Sequence, residues 1–116
     1  MKIVIGGCRD FNDYNLIEKT LDEFFSEIGE EVTILSGHCR GADILAERYA
    51  AEKGIRVEIY TADWARYGRA AGPLRNREMV ERGDMVIAFW DGSSKGTGDL
   101  IKYAKKLSKP VRVVKV

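Results

Sequence analysis

Met85-Val86-Ile87-Ala88-Phe89-Trp90-Asp91-Gly92-Ser93-Ser94-Lys95-Gly96-Thr97 is an unbroken apolar run that empties into a small, polar loop. Such a run, short for a helix and lacking alternation, reads as a strand covered on both faces of a parallel sheet. Ile3-Val4-Ile5, within the run Lys2 to Gly6, has the same character and ends on two glycines. Val32 to Leu35, Arg56 to Tyr60 and Val111 to Val116 complete five strands separated by helical patterns. A strand-helix alternation of this kind implies a parallel sheet with helices on both faces. Val57-Glu58-Ile59-Tyr60 and Val111-Arg112-Val113-Val114-Lys115-Val116 carry charges within the strand and therefore belong at the edges. The expected fold is one α/β domain over residues 1–116, a Rossmann-like three-layer sandwich with sheet order 3-2-1-4-5.

Four helices connect these strands. Asp13 to Ile28 sets Ile17, Leu21, Phe24, Phe25 and Ile28 on one stripe. The second follows Gly41, stops at Gly54 and offers Leu45, Ala46, Tyr49 and Ala50. The third is expected to begin near Gly72-Pro73, placing Arg75 and Asn76 in its first turn, and to end near Gly83. Thr97 is the expected cap of the fourth, whose Leu100, Ile101, Ala104 and Leu107 recur at helical spacing before Pro110.

With 116 residues, 45% of them hydrophobic, the chain has enough core for one domain without disulfides or a structural metal. Nineteen basic and eighteen acidic side chains leave a formal charge of +1, which provides no global field for nucleic acid or an anionic membrane. The apolar start MKIVIGG is too short for a signal-peptide core, and no run approaches the roughly 18 residues needed to span a bilayer. Two cysteines, Cys8 and Cys39, do not make a disulfide framework, so a reducing cytoplasmic setting is the default.

In the order 3-2-1-4-5 the winding reverses between strands 1 and 4, and ligands of open α/β sheets bind above the carboxyl ends at that crevice. Gly6-Gly7-Cys8-Arg9-Asp10 and Asp91 to Thr97 should line it. The second loop is the best phosphate candidate: Gly96 permits close backbone approach, Ser93, Ser94 and Thr97 supply hydroxyls, and the helix that follows attracts anions. An ordinary strand-to-helix connection is the alternative reading. The loop is not a Walker A sequence, and Gly6-Gly7 does not extend to G-x-G-x-x-G, so ordinary ATP hydrolysis and NAD binding lose their usual support.

Ser36-Gly37-His38-Cys39-Arg40-Gly41-Ala42-Asp43 follows strand 2. Arg40 offers a fork for phosphate or carboxylate, while Asp43 suits a ribose hydroxyl or simply the helix N-terminus. Arg9 and Asp10 either bind ligand or pair with each other or with neighbouring loops. After strand 3 comes a long connection in which Asp63, Trp64 and Tyr67 offer polar and stacking groups beside Arg66, Arg69 and Arg75, or pack the loop on the sheet edge. Cys8, His38 and Cys39 lack the spacing of a zinc site, and no metal or cofactor is indicated. A Cys-His nucleophile has no specified orienting acid.

Taken together, Gly6-Gly7-Cys8-Arg9-Asp10-Phe11, the Arg40-Gly41-Ala42-Asp43 segment, Ala62-Asp63-Trp64, Gly68 to Asn76 and Gly96-Thr97 resemble the YspA-related branch of the SLOG superfamily along nearly the whole chain. The resemblance implies a Rossmann-like domain that binds nucleotides or nucleotide-derived ligands, acting as a sensor or as an enzyme, and a family in which many members self-associate. A more distant resemblance links the chain to the Lonely Guy phosphoribohydrolases, which release the base from a nucleoside monophosphate. Their R-K-x-x-M and P-G-G-x-G-T-x-x-E signatures correspond to Arg75-Asn76-Arg77-Glu78-Met79 and Asp91 to Leu100, but Leu100 stands at the terminal glutamate.

Three functions follow. The first is a nucleotide-binding or sensor domain with phosphate held by Arg9, Arg40, Arg75 and the Ser93 to Thr97 loop, and with Asp10, Asp43 and Asp63 on ribose or base or ordering the arginines. The second is a phosphoribohydrolase in which Asp99, Asp43 or Asp10 replaces the glutamate. The third is single-stranded nucleic-acid binding through Trp64, Tyr67 and nearby arginines, against which the near-zero charge weighs. The expected ligand-binding set is Gly7, Arg9, Asp10, Gly37, Arg40, Gly41, Asp43, Asp63, Trp64, Arg75, Asn76, Asp91, Ser93, Ser94, Gly96 and Thr97.

Overall fold

The apolar runs pair as their composition requires. In the computed structural model, which describes residues 1–116, β1 (Lys2–Gly7), β2 (Thr33–Ser36), β3 (Arg56–Ile59), β4 (Met85–Trp90) and β5 (Val111–Lys115) form one parallel sheet in the order β3-β2-β1-β4-β5. The register places Ile5 beside Ile87 and Gly7 beside Phe89, so β1 and β4 end together at the crevice. Both central strands are buried along their middles, while β3 and β5 are mostly exposed or half-buried.

Alternation along the strands divides the core. Ile3, Ile5, Ile34, Ile87 and Phe89 pack beneath α1 (Tyr14–Ile28) and α2 (Ala42–Lys53), joined by Ile17, Leu21 and Tyr49. On the other face Val4, Leu35, Val86 and Ala88 meet Met79 and Val80 of α4 (Ala71–Arg82) and Leu100, Ile101 and Ala104 of α5 (Lys95–Lys106). Each fully buried aliphatic or aromatic side chain contributes about 1.5–3 kcal/mol by area. No helix is long and apolar enough to cross a membrane.

Asp13 caps α1 by accepting a hydrogen bond from the Leu16 amide at 3.1 Å. Asp13→Ala should lower the unfolding free energy by about 1 kcal/mol, read from the urea midpoint.

Two expected helix starts are corrected. The connection after β3 is not one open loop: Asp63 caps a short helix, α3 (Trp64–Tyr67), and a 3₁₀ turn (Gly68–Ala70) leads into α4. Pro73 is therefore the third residue of α4, still within the turn where a missing amide costs nothing, and Arg75 and Asn76 fall in its second turn. Nor does Thr97 cap α5. Ser94 is the cap residue and no side chain caps the helix, because Thr97 lies inside the first turn and is buried.

Candidate functional site

The crevice is lined at its base by backbone. Cys8 donates its amide to the Phe89 carbonyl at 3.0 Å, extending the β1–β4 pairing past the strand end. A Cβ at Gly7 would stand 2.5 Å from the Phe89 carbonyl oxygen and 2.7 Å from the Ala42 Cβ, so any side chain there would collide with β4 and α2. The resulting cleft has a volume of about 400 Å³. Gly6 and Gly7 form its floor, with α2, α4 and α5 contributing walls.

On the α5 side, Asp91 organises the loop. Its Oδ1 accepts from the amides of Ser93 at 2.9 Å and Ser94 at 2.8 Å, and these backbone bonds hold the Asp91 carboxyl below its ordinary range. The Trp90 indole donates to the Ser94 carbonyl at 3.0 Å, and Asn76 reaches from α4 to the Gly96 carbonyl at 3.3 Å. The first-turn amides of Lys95, Gly96 and Thr97 have no intrahelical acceptor, and no side chain replaces one. A helix end of this kind favours an anion through both its dipole and its free N–H groups.

On the α2 side, Gly41 adopts φ +89° and Ala42 donates to the Cys8 carbonyl at 3.3 Å, bringing Asp43 to the cleft wall. Asp43 is only 6% exposed. Burial pushes its carboxyl up to about 6, against the opposing pull of the Cys39 amide, which donates to Oδ2 at 3.3 Å, and of the Arg75 guanidinium. Arg75 itself is engaged by protein: Nη1 donates to the Gly37 carbonyl at 2.8 Å, Nε to Asn76 Oδ1 at 3.1 Å, and Nη2 approaches the Cys39 sulfur at 3.6 Å. It braces the loop after β2 and offsets the charge of Asp43.

Arg40 and Asp10 form a 3.8 Å ion pair at the rim, with side chains 76% and 97% exposed. In that much water the pair contributes little to stability. Arg9, also exposed, joins them at the cleft mouth with no acidic partner. His38 turns the other way: Nδ1 lies 3.0 Å from both Glu47 oxygens, and the buried Ser36 hydroxyl donates to the same carboxylate at 2.7 Å. Glu47 thus engages His38, whereas the Cys39 sulfur approaches Arg75 and the Gly37 carbonyl.

Comparison with known proteins places this architecture. The family described as "YspA, cpYpsA-related SLOG family" matches residues 1–67. The chain belongs to that family. It is 34% identical over 116 aligned residues to the Gene 61 protein of Mycobacterium phage D29, covering 95% of this chain and 93% of the phage protein. Its fold is similar to that of DNA processing protein A (DprA) from Streptococcus pneumoniae, with a TM-score of 0.77 at 17% identity. That alignment covers 99% of this chain and 50% of the DprA chain, so this chain spans half the length of that structure.

Within the SLOG cleft the fold brings together Gly7, Arg9, Asp10, Arg40, Asp43, Arg75, Asn76, Asp91, Ser94, Gly96 and Thr97 of the expected set. Five others lie outside its lining. Gly37 sits behind Arg75, where a Cβ would be 2.9 Å from Nη1; Gly41 contributes the turn and opens on a shallower depression with Ile44; and Ser93 faces outward. Asp63 spends its carboxylate on the Arg66 amide at 3.1 Å, and Trp64, 52% exposed, lies against Gly72. Asp99, a catalytic candidate, is also absent from the lining, and its Oδ2 is buried without a partner. Asp10 reaches the cleft only as a solvated rim carboxylate. Met79, read in the sequence only as part of the R-K-x-x-M match, and Cys39, considered only as a metal ligand or nucleophile, stand outside the expected ligand-binding set; both line the cleft. That match and the i, i+4 spacing from Arg75, which puts both side chains on one face of α4, were the signals for Met79.

Proposed function

We propose that this SLOG domain binds a nucleotide or nucleotide-derived ligand in the crevice, with phosphate at the amino end of α5, and holds it without cleaving it. The uncapped α5 terminus facing a glycine-floored cleft carries this reading, because it offers backbone donors that the protein leaves unused. Arg9 and Arg40 at the mouth add charge for a phosphate or a planar surface for a base. Leu100 supports retention over hydrolysis: it lines the cleft where the Lonely Guy resemblance would place a glutamate, and an aliphatic side chain can neither activate water nor stabilise a sugar cation.

The test is isothermal titration calorimetry against linear and cyclic nucleotides, with chromatography of each mixture afterwards. Binding without base release is expected, competed by inorganic phosphate and weakened about tenfold by Arg9→Ala. A protein isolated empty by native mass spectrometry that also binds none of the panel overturns the reading.

A second reading is phosphoribohydrolase activity with Asp43 as the acid or base. Its support is a cleft carboxyl raised to about 6, within the range useful for proton transfer near neutral pH. Base release from a nucleoside monophosphate, abolished by Asp43→Asn, would establish it. Salt-dependent binding to oligonucleotides but not to mononucleotides would instead favour a single-strand binder using the exposed Trp64 and Tyr67. A cytoplasmic setting and self-association, for which the open edges of β3 and β5 leave room, complete the proposal.

A further inference from the structure

Asp43 has a divided environment. Its Oδ2 faces the loop after β2, taking the Cys39 amide at 3.3 Å and lying 3.0 Å from where a Gly37 Cβ would stand. Its Oδ1 points the other way, 3.8 Å from the Cβ position of Gly6, on the cleft floor. No protein group donates to Oδ1, although the side chain is more than nine-tenths buried. Across the same floor, Leu100 Cδ2 lies 2.8 Å from that Gly6 Cβ position, so the glycine separates a carboxylate oxygen from an aliphatic wall.

Asp99 Oδ2, not Asp43 Oδ1, is the polar atom sealed away without a partner, so Oδ1 is open to water from the cleft. A ligand that displaces that water without offering a donor leaves a carboxylate oxygen unmatched, which is costly. We propose that Asp43 is the specificity-determining residue of the cleft and selects ligands bearing a ribose, accepting the 2′- or 3′-hydroxyl at Oδ1. This rests on the nucleotide reading above and adds the sugar class. Two observations orient the ligand. The carboxylate repels phosphate, which therefore lies across the cleft at the α5 amides, leaving the uncharged hydroxyls on the α2 side. None of the cleft residues is aromatic, so nothing inside the cleft presents a ring to a base; the base extends to the mouth, where Arg9 and Arg40 offer planar cations. The sugar and phosphate are the buried part.

The experiment compares ribonucleoside 5′-monophosphates with their 2′-deoxy and 3′-deoxy counterparts by calorimetry, with ribose 5-phosphate as the base-free probe. Wild-type protein should prefer the ribonucleotide over at least one deoxy form by about tenfold or more, and should bind ribose 5-phosphate. Asp43→Ala, which leaves no polar atom at the Oδ1 position to bond a hydroxyl, should bring ribo and deoxy affinities within about twofold of each other. Equal ribo and deoxy affinities in the wild type overturn the inference and leave the nucleotide reading standing. So does a preference that survives Asp43→Ala. Absence of binding by every probe removes both. Because the first comparison uses only wild-type protein, it decides the question even if the variant fails to fold.

Discussion

Gly41→Ala is expected to lower the unfolding free energy by about 3–5 kcal/mol, a large fraction of the roughly 5–15 kcal/mol that holds a domain of this size. Two costs combine. Gly41 adopts φ +89° and ψ −133°, a region that side-chain-bearing residues occupy at a cost of about 1–3 kcal/mol. Its Cβ would also stand 2.2 Å from the Cys8 carbonyl oxygen and 2.7 Å from that of Arg9, so the loop after β1 must move. Relieving an overpacked contact costs a further 1–3 kcal/mol or so. The natural control is Gly54, with φ +69° at the end of α2 and open space around it; Gly54→Ala should cost only about 1–2 kcal/mol. Urea unfolding followed by far-ultraviolet circular dichroism separates the two, and equal losses would show that the contact with Cys8 is not what requires a glycine at 41. The displaced carbonyl also accepts the Ala42 amide, so nucleotide affinity should fall along with stability.

Gly41 illustrates what was legible in the sequence and what was not. The sheet order could be read because burial on one or two faces writes itself into strand composition: Ile3 to Ile5 and Ile87 to Phe89 are fully buried, whereas Glu58 and Arg112 mark exposed edges. Once that order is known, the crevice follows from topology, and the loops after β1, β2 and β4 fall around it. The direction of individual side chains was less accessible. Asp63 and Asp91 both follow a strand and both satisfy nearby backbone amides, but only Asp91 does so at the cleft. Thr97 carries a capping side chain but lies one turn too far along α5 to use it. Arg75 reads as a phosphate ligand because arginines suit that role; it does line the cleft, and three of its donors also hold Gly37, Asn76 and Cys39. The Arg75 outcome depends on a hydrogen bond between segments 38 residues apart, which no local pattern specifies.

The buried Asp43 carboxyl should make stability depend on pH in a direction opposite to that of most surface carboxylates. Its folded-state value of about 6 lies above the ordinary 3.8, so between these limits the folded protein binds the proton more tightly than the unfolded chain does. The contribution is fully present below the ordinary value and is lost as pH rises through 6. A displacement of about two units corresponds to roughly 3 kcal/mol. Burial is the main cause, reinforced by Glu47, while Arg75, His38 and the Cys39 amide oppose it. Asp43→Asn keeps an acceptor for the Cys39 amide but does not titrate. The difference in unfolding free energy, wild type minus variant, should therefore fall by about 2–3 kcal/mol between pH 4 and pH 7.5. Chemical denaturation at intervals across that range measures it, and a flat difference would mean that Asp43 is solvated more fully than its burial implies. Ligand binding should act on the same proton. A sugar hydroxyl donating to Oδ1 stabilises the charged carboxylate and lowers its pKa, so saturation with ribonucleotide near pH 6 should release a fraction of a proton. Calorimetry in buffers of differing ionisation enthalpy reads that release, and its disappearance in Asp43→Asn would tie the proton to this carboxylate.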